Sequence, residues 1–158
     1  MLSVDSLPAR VRAKILIPDD PSDCWPWTAY VSKAGYGRIG WDNGITRESH
    51  RVVYTLLVEP VPDGMVLDHT CHDPLVCTKT GRECPHRRCQ NPDHMVPVTR
   101  GANALRGSGP PAVNAQKDRC DNGHLYTPET TVIDGGTRRC LLCRRAFDRK
   151  RRPRRKAA

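Results

Sequence analysis

The chain has 158 residues and a formal net charge of +9; 37% of it is hydrophobic, with one Phe, three Trp and eight Cys. So lean an apolar complement cannot hold every loop of such a domain, and small scaffolds of this kind usually add disulfides or metals. The opening MLSVDSLPARVRAK has no long apolar stretch, so no signal peptide or membrane span is expected, and a reducing cytoplasmic setting makes zinc the better expectation for the cysteines.

Residues 1–23 carry Pro8, Pro18 and Pro21 and a brief helix-like pattern from Val11 to Ile17; they read as a loosely held arm. Short strands follow from Cys24, with Trp27, Tyr30, Tyr36, Ile39 and Trp41 among three glycines, and Asp42-Asn43-Gly44 signals a hairpin turn. A helix is expected near Ser49 to Val58, burying Val52, Val53, Leu56 and Leu57. Pro60 and Pro62-Asp63-Gly64 end it in a turn. Next come a strand from Met65 to Asp68, a cysteine-rich insertion, a strand from His94 to Val98 and a helix capped by Thr99. This makes residues 24–107 one domain with a β-β-α unit. Gly107 to Pro111 reads as a linker, assigned to residues 108–118. Residues 119–158 form a small module with a basic tail.

Cys120-x3-His124 and Cys140-x2-Cys143 make two knuckles, four ligands of the kind that tetrahedral structural zinc requires. Cys71, Cys89 and His94 supply three more, and Cys24 is the candidate fourth; its rival reading is a small buried hydrophobe. Cys77, Cys84 and His86, with His72 nearby, form a further candidate set, which can bind its own zinc, exchange ligands with the central set or stay free. Two or three structural zinc ions are therefore expected. From Thr137 onward eleven Lys or Arg face one acid, Asp148. Arg138, Arg139, Arg144, Arg145, Arg149, Lys150, Arg151 and Arg152 are the candidate phosphate contacts, against the plainer reading of a solubilising tail.

Asp68, His69 and Asn103 fit a hydrolytic site. His is suited to proton abstraction near neutral pH, and Mg²⁺ takes oxygen ligands while keeping several waters, so a carboxylate and an amide suffice. On spacing alone, His69 as a zinc ligand and Asn103 as a plain helix-start residue stand beside that reading. Arg51, opening a helix face, reads as solvated more readily than as a phosphate contact.

The run D-H-x-C…C-x-N-P-x-H-x8-N, with CWPWTAYVSKAGYGRIGW, SHRVVYTLLVEPVPDGMVLDHTC and CQNPDHMVPVTRGANALRG, resembles the HNH or His-Me finger nucleases over Cys24 to Gly107. The likeness is to the zinc-containing phage kind and, more distantly, to the His-Cys box homing endonucleases. Cys120 to Cys143 resembles the zinc module often appended to such phage enzymes. The resemblance implies that His69 is the general base, Asn103 the main ligand of a catalytic Mg²⁺ or other divalent cation, and Asp68 a second ligand. It also implies a zinc triad of Cys71, Cys89 and His94 with Cys24 as the upstream fourth, and Asn91 bracing the loop. The insertion from Pro74 to Arg88 departs from the family pattern, so the homing enzymes' second zinc is not carried over to Cys77, Cys84 and His86.

The expectation is thus an α+β protein: a β hairpin and helix packed on a zinc-stabilised β-β-α-metal unit, with a zinc-ribbon-like appendage. Its expected activity is DNA phosphodiester hydrolysis in an infected host cell, in homing or in DNA processing and packaging. DNA is the expected partner, and a homodimer and phage packaging proteins are left open. The rival classes are a non-catalytic zinc-finger DNA binder and a packaging component that cuts only with a partner.

Overall fold

The computed structural model describes residues 3–151. It is an α+β protein that divides into two units, Met1–Ala112 and Val113–Ala158. The elements of the first are α1 (Ala9–Arg12), β1 (Arg38–Trp41), β2 (Ile45–Glu48), α2 (Ser49–Leu57), β3 (Met65–His69), β4 (Met95–Thr99) and α3 (Arg100–Arg106). A helix, α4 (Pro110–Gln116), crosses the division, and β5 (Thr131–Asp134), β6 (Thr137–Cys140) and α5 (Leu141–Arg151) complete the second. The described strands pair in three two-stranded antiparallel sheets, β1-β2, β3-β4 and β5-β6. Among the described residues no helix is long and apolar enough to cross a membrane.

Three consecutive left-handed residues, Asp42, Asn43 and Gly44 (φ 30°, 54° and 90°), turn β1 into β2. Asn, Asp and Gly tolerate that region best, which is why the hairpin falls there. The pairing starts at Trp41↔Ile45 and ends at Arg38↔Glu48. Chain then enters α2 directly, which buries Val52, Val53 and Leu57 against Trp27 and Ile39.

The first 23 residues are not a loose arm. Leu7, Val11 and Ile15, spaced four apart, are 5%, 0% and 5% exposed and belong to the same core as Trp25, Trp27 and Val53. The stretch is stitched down by an Ile15↔Trp27 bridge and by Leu16 N–H donating to the Pro26 carbonyl at 3.0 Å. With one Phe in the chain, burial depends on these scattered aliphatics, and prolines around a four-residue helix hid their common face. The segment expected as a linker likewise contains α4, whose Ala112 is buried.

Gly37 is the tightest backbone approach in this core. A Cβ there would run into Ser49 Oγ and lie 2.6 Å from Trp27 Cδ1. Gly37→Ala is expected to destabilise the protein by about 1–3 kcal/mol, the usual range for overpacking. The check is a lower urea midpoint at unchanged slope.

Candidate functional site

The central set comes together because two distant segments are sewn to each other. Trp27 N–H donates to the Arg88 carbonyl at 2.9 Å, and Gln90 N–H donates to the Trp25 carbonyl at 2.8 Å. Asn91, fully buried, donates through Nδ2 to the carbonyls of Pro21 (3.0 Å) and Asp23 (2.8 Å) while its Oδ1 accepts from Asp93 N–H (3.1 Å). These bonds carry Cys24 to Cys89, and the β3-β4 pairing His69↔Met95 brings Cys71 and His94 to the same place. Asn91→Ala strands two carbonyls, and a loss of about 1–3 kcal/mol per unsatisfied buried group is expected. A chelator competition assay should then show weaker zinc retention.

Three sets have four ligand atoms mutually within 4.8 Å: Cys24, Cys71, Cys89 and His94; His72, Cys77, Cys84 and His86; Cys120, His124, Cys140 and Cys143. Tetrahedral zinc, with Zn–S of about 2.3 Å and Zn–N of about 2.0–2.1 Å, sets edges of about 3.8 Å for S to S and about 3.6 Å for S to N. His94 Nδ1 lies 3.6 Å from Cys24 Sγ and 3.5 Å from Cys89 Sγ. In the second unit Cys120 Sγ is 3.6 Å from Cys143 Sγ, and His124 Nδ1 is 3.4, 3.7 and 3.3 Å from Cys120, Cys140 and Cys143. Those are zinc edges, far above the length of a disulfide, and all eight cysteines are free thiols. Each set can hold a metal ion such as zinc.

Charge argues the same way. Burial, then the neighbouring Cys89, pushes the Cys24 thiol up to about 11, and Cys71 is raised as well. Cys89 is held down at about 5, chiefly by the hydrogen bond from Cys71 and against its own burial. Crowded thiols thus share about one negative charge, whereas a dication lets all three ionise.

Beside the central set lies a cleft of about 470 Å³ whose lining includes Tyr36, Asp68, His69, His72, Arg87, Asn103 and Arg106. His69 ends β3 at 7% exposure and belongs to none of the three sets. Its Nε2 is 3.2 Å from the Cys89 carbonyl oxygen. A carbonyl only accepts, so Nε2 carries the proton and Nδ1 keeps its lone pair. Burial lowers the pKa of this imidazole, with the Cys89 carbonyl opposing. Asp68 Oδ2 takes Arg106 Nη1 at 3.0 Å. Thr99 caps α3 by accepting from Ala102 N–H at 3.2 Å, which puts Asn103 and Arg106 one turn apart on the helix beside β3.

The cleft wall and the packing behind His69 use residues whose part in the site the sequence did not disclose. His50, 3% exposed, packs its ring 4.9 Å from that of His69, and Tyr36 lies 5.4 Å from His50 and 6.1 Å from His69. The only sequence signal was His50 within SHRVVYTLL; Arg87 and Arg106 sat among other surface-like arginines. Burial, with His69 and Arg51 adding, sets the His50 pKa well below the ordinary value. Its 3.8 Å approach to Glu48 is therefore no ion pair near neutral pH. The unfolded chain takes up this proton near pH 6.5 and the folded one does so only lower. The His50 contribution to stability is full above pH 6.5 and lost as pH falls toward the folded pKa. A melting series should show that acid loss shrink in His50→Phe.

The basic residues separate. Arg138 is engaged within its own unit, stacked 4.0 Å from the Tyr126 ring centroid and donating through Nη2 to the carbonyls of Asn114 and Lys117. Arg139 pairs with Asp134 at 3.5 Å. Arg144, Arg145, Arg149, Lys150 and Arg151 are exposed on α5. Arg152 lies outside the described residues.

No protein-family model matches the chain, and no solved structure matches it. Over 74 residues the chain is 37% identical to Protein 7.7 of Escherichia phage T7, a match covering 47% of this chain and 46% of that protein. The similarity thus spans less than half of either chain.

Proposed function

We propose that the protein is a divalent-metal-dependent DNA endonuclease of the HNH type, built on β3, β4 and α3 as a β-β-α-metal unit. The observation that carries this reading is the His69 imidazole, locked as the Nε2–H tautomer by the Cys89 carbonyl, in one cleft with Asp68 and Asn103. Its Nδ1 is free to take a proton from water, and burial keeps the ring neutral and ready to do so. The water oxygen attacks phosphorus, the bond to the 3′ oxygen breaks, and Arg87 and Arg106 hold the phosphate from the cleft wall. Asp68 and Asn103 offer one carboxylate and one amide oxygen, a donor set that suits Mg²⁺. Such a cation, when bound, supplies charge stabilisation to the phosphate oxygens.

The zinc sets are structural in this reading, each having four protein ligands and no open position. The net charge and the exposed arginines of α5 support salt-dependent attachment to the DNA backbone. Similarity to a phage protein supports action within an infected host cell.

The test is conversion of supercoiled plasmid to nicked and linear forms with Mg²⁺ or Mn²⁺, by protein checked for zinc content. A zinc-replete wild type that retards the plasmid yet cuts with neither cation sinks the enzyme reading. A non-catalytic zinc-dependent binder, or a subunit needing a partner, then replaces it.

A further inference from the structure

The insertion from Pro74 to Arg88, between β3 and β4, has almost no core. Leu75 and Val76 are 90% and 80% exposed, and its regular structure is two three-residue turns, Gly81–Glu83 and His86–Arg88. Burial this slight does not order a segment of its length. Its second feature is the set His72, Cys77, Cys84 and His86. Cys84 Sγ, fully buried, lies 3.9 Å from Cys77 Sγ and 3.9 Å from His86 Nδ1. The His72 and His86 rings are 5.5 Å apart, and His72 Nε2 is buried with no hydrogen-bond partner. A buried imidazole nitrogen without a partner is costly, and a metal ion satisfies it.

The same segment is tied to the turn before β1. Arg82 Nε donates to the Ser32 carbonyl at 3.2 Å and Arg87 Nη1 to the Ala34 carbonyl at 2.9 Å. Gly35, at φ +93°, rests on the Gly81 carbonyl so closely that no Cβ fits. Arg87 directly follows the ligand His86, lines the cleft and lies 5.4 Å from the Tyr36 ring centroid. With Nη1 on Ala34, its Nε and Nη2 remain for a planar two-point contact with phosphate.

We propose that zinc on His72, Cys77, Cys84 and His86 makes the insertion a clamp, seating Arg87 against a DNA phosphate at the mouth of the His69 cleft. The choice of DNA rests on the nuclease reading. Two thiolates and two neutral imidazoles cancel the charge of Zn²⁺, so the ion acts through the position of Arg87 and not through its field. Zinc binding by Cys77 and Cys84 releases their thiol protons to solvent.

The test uses the full chain, zinc analysis and fluorescence anisotropy with a labelled 20-base-pair duplex, without added Mg²⁺ so that cleavage does not intervene. Wild type should carry three zinc ions, and Cys77→Ser two. Loss of one phosphate contact lowers the slope of log affinity against log salt by about 0.9, which at 0.1 M salt is a weakening of about eightfold. Cys77→Ser and zinc-replete Arg87→Ala should each show it. The double variant should be no weaker than either single one, because both remove the same contact. Additive losses, unchanged binding by Arg87→Ala, or three zinc ions in Cys77→Ser would overturn the clamp. Retention of the other two zinc ions shows that Cys77→Ser is folded, and Arg87→Ala tests the contact without touching a ligand. A wild type that binds the duplex but cuts no plasmid removes the catalytic reading and leaves the clamp; one that binds no duplex removes both.

Discussion

His69→Ala is expected to slow plasmid cleavage by about 10²–10⁴-fold, the usual span for loss of a general base, with zinc content unchanged. The size of the effect follows from how the ring is held. Its Nε2 proton is engaged by the Cys89 carbonyl at 3.2 Å, and its faces are packed by His50 and Tyr36. No other described imidazole lines the cleft except His72, which is assigned to a metal set. DNA binding should survive the substitution, so the loss falls on the chemical step. A zinc-replete His69→Ala variant that cuts at the wild-type rate removes His69 from the mechanism.

Cys89→Ala is expected to be more drastic still, giving a first unit that does not fold. Its sulfur belongs to the central set, its carbonyl orients His69, and Pro26 bridges to it across the core edge. Apparent zinc-binding energy in finger-like peptides is about 10–16 kcal/mol, comparable with or above the roughly 5–15 kcal/mol that keeps a domain folded. With so small an apolar core there is little else to compensate. Loss of the near-ultraviolet signal of Trp25 and Trp27 and a deficit of two zinc ions per chain, those of both ligand sets in the first unit, are the readouts. A variant with native spectrum and full zinc content would refute this account.

Short-range chemistry was what the sequence disclosed best. Asp42-Asn43-Gly44 marked a turn because few residues tolerate three successive left-handed positions. Thr99 marked a helix start because its side chain can satisfy an orphan N–H. The three ligand sets were legible because Cys and His in close pairs have few other uses in a reducing setting, although only the geometry shows that His72 completes the third. What stayed hidden depends on contacts across the chain. Leu7, Val11 and Ile15 read as an arm, since nothing local says that Trp27 will cover them. Nothing local in SHRVVYTLL says that His50 will pack against His69, which β3 lays beside it. Arg138 looked like its basic neighbours, and only the Tyr126 ring and two carbonyls set it apart.

The central ligands also impose an order on synthesis. Cys24 and His94 are 70 residues apart, and a ribosome adding about 5–20 residues per second separates them by about 4–14 s. For that interval Cys24 and the tryptophans beside it have emerged without the residues that complete their site. The Cys120–Cys143 set, closing over 23 residues, waits about 1–5 s by the same arithmetic. The nascent first unit is therefore the one exposed to thiol oxidation and to chaperones, and a cell short of zinc should lose it at translation sooner than from the finished protein.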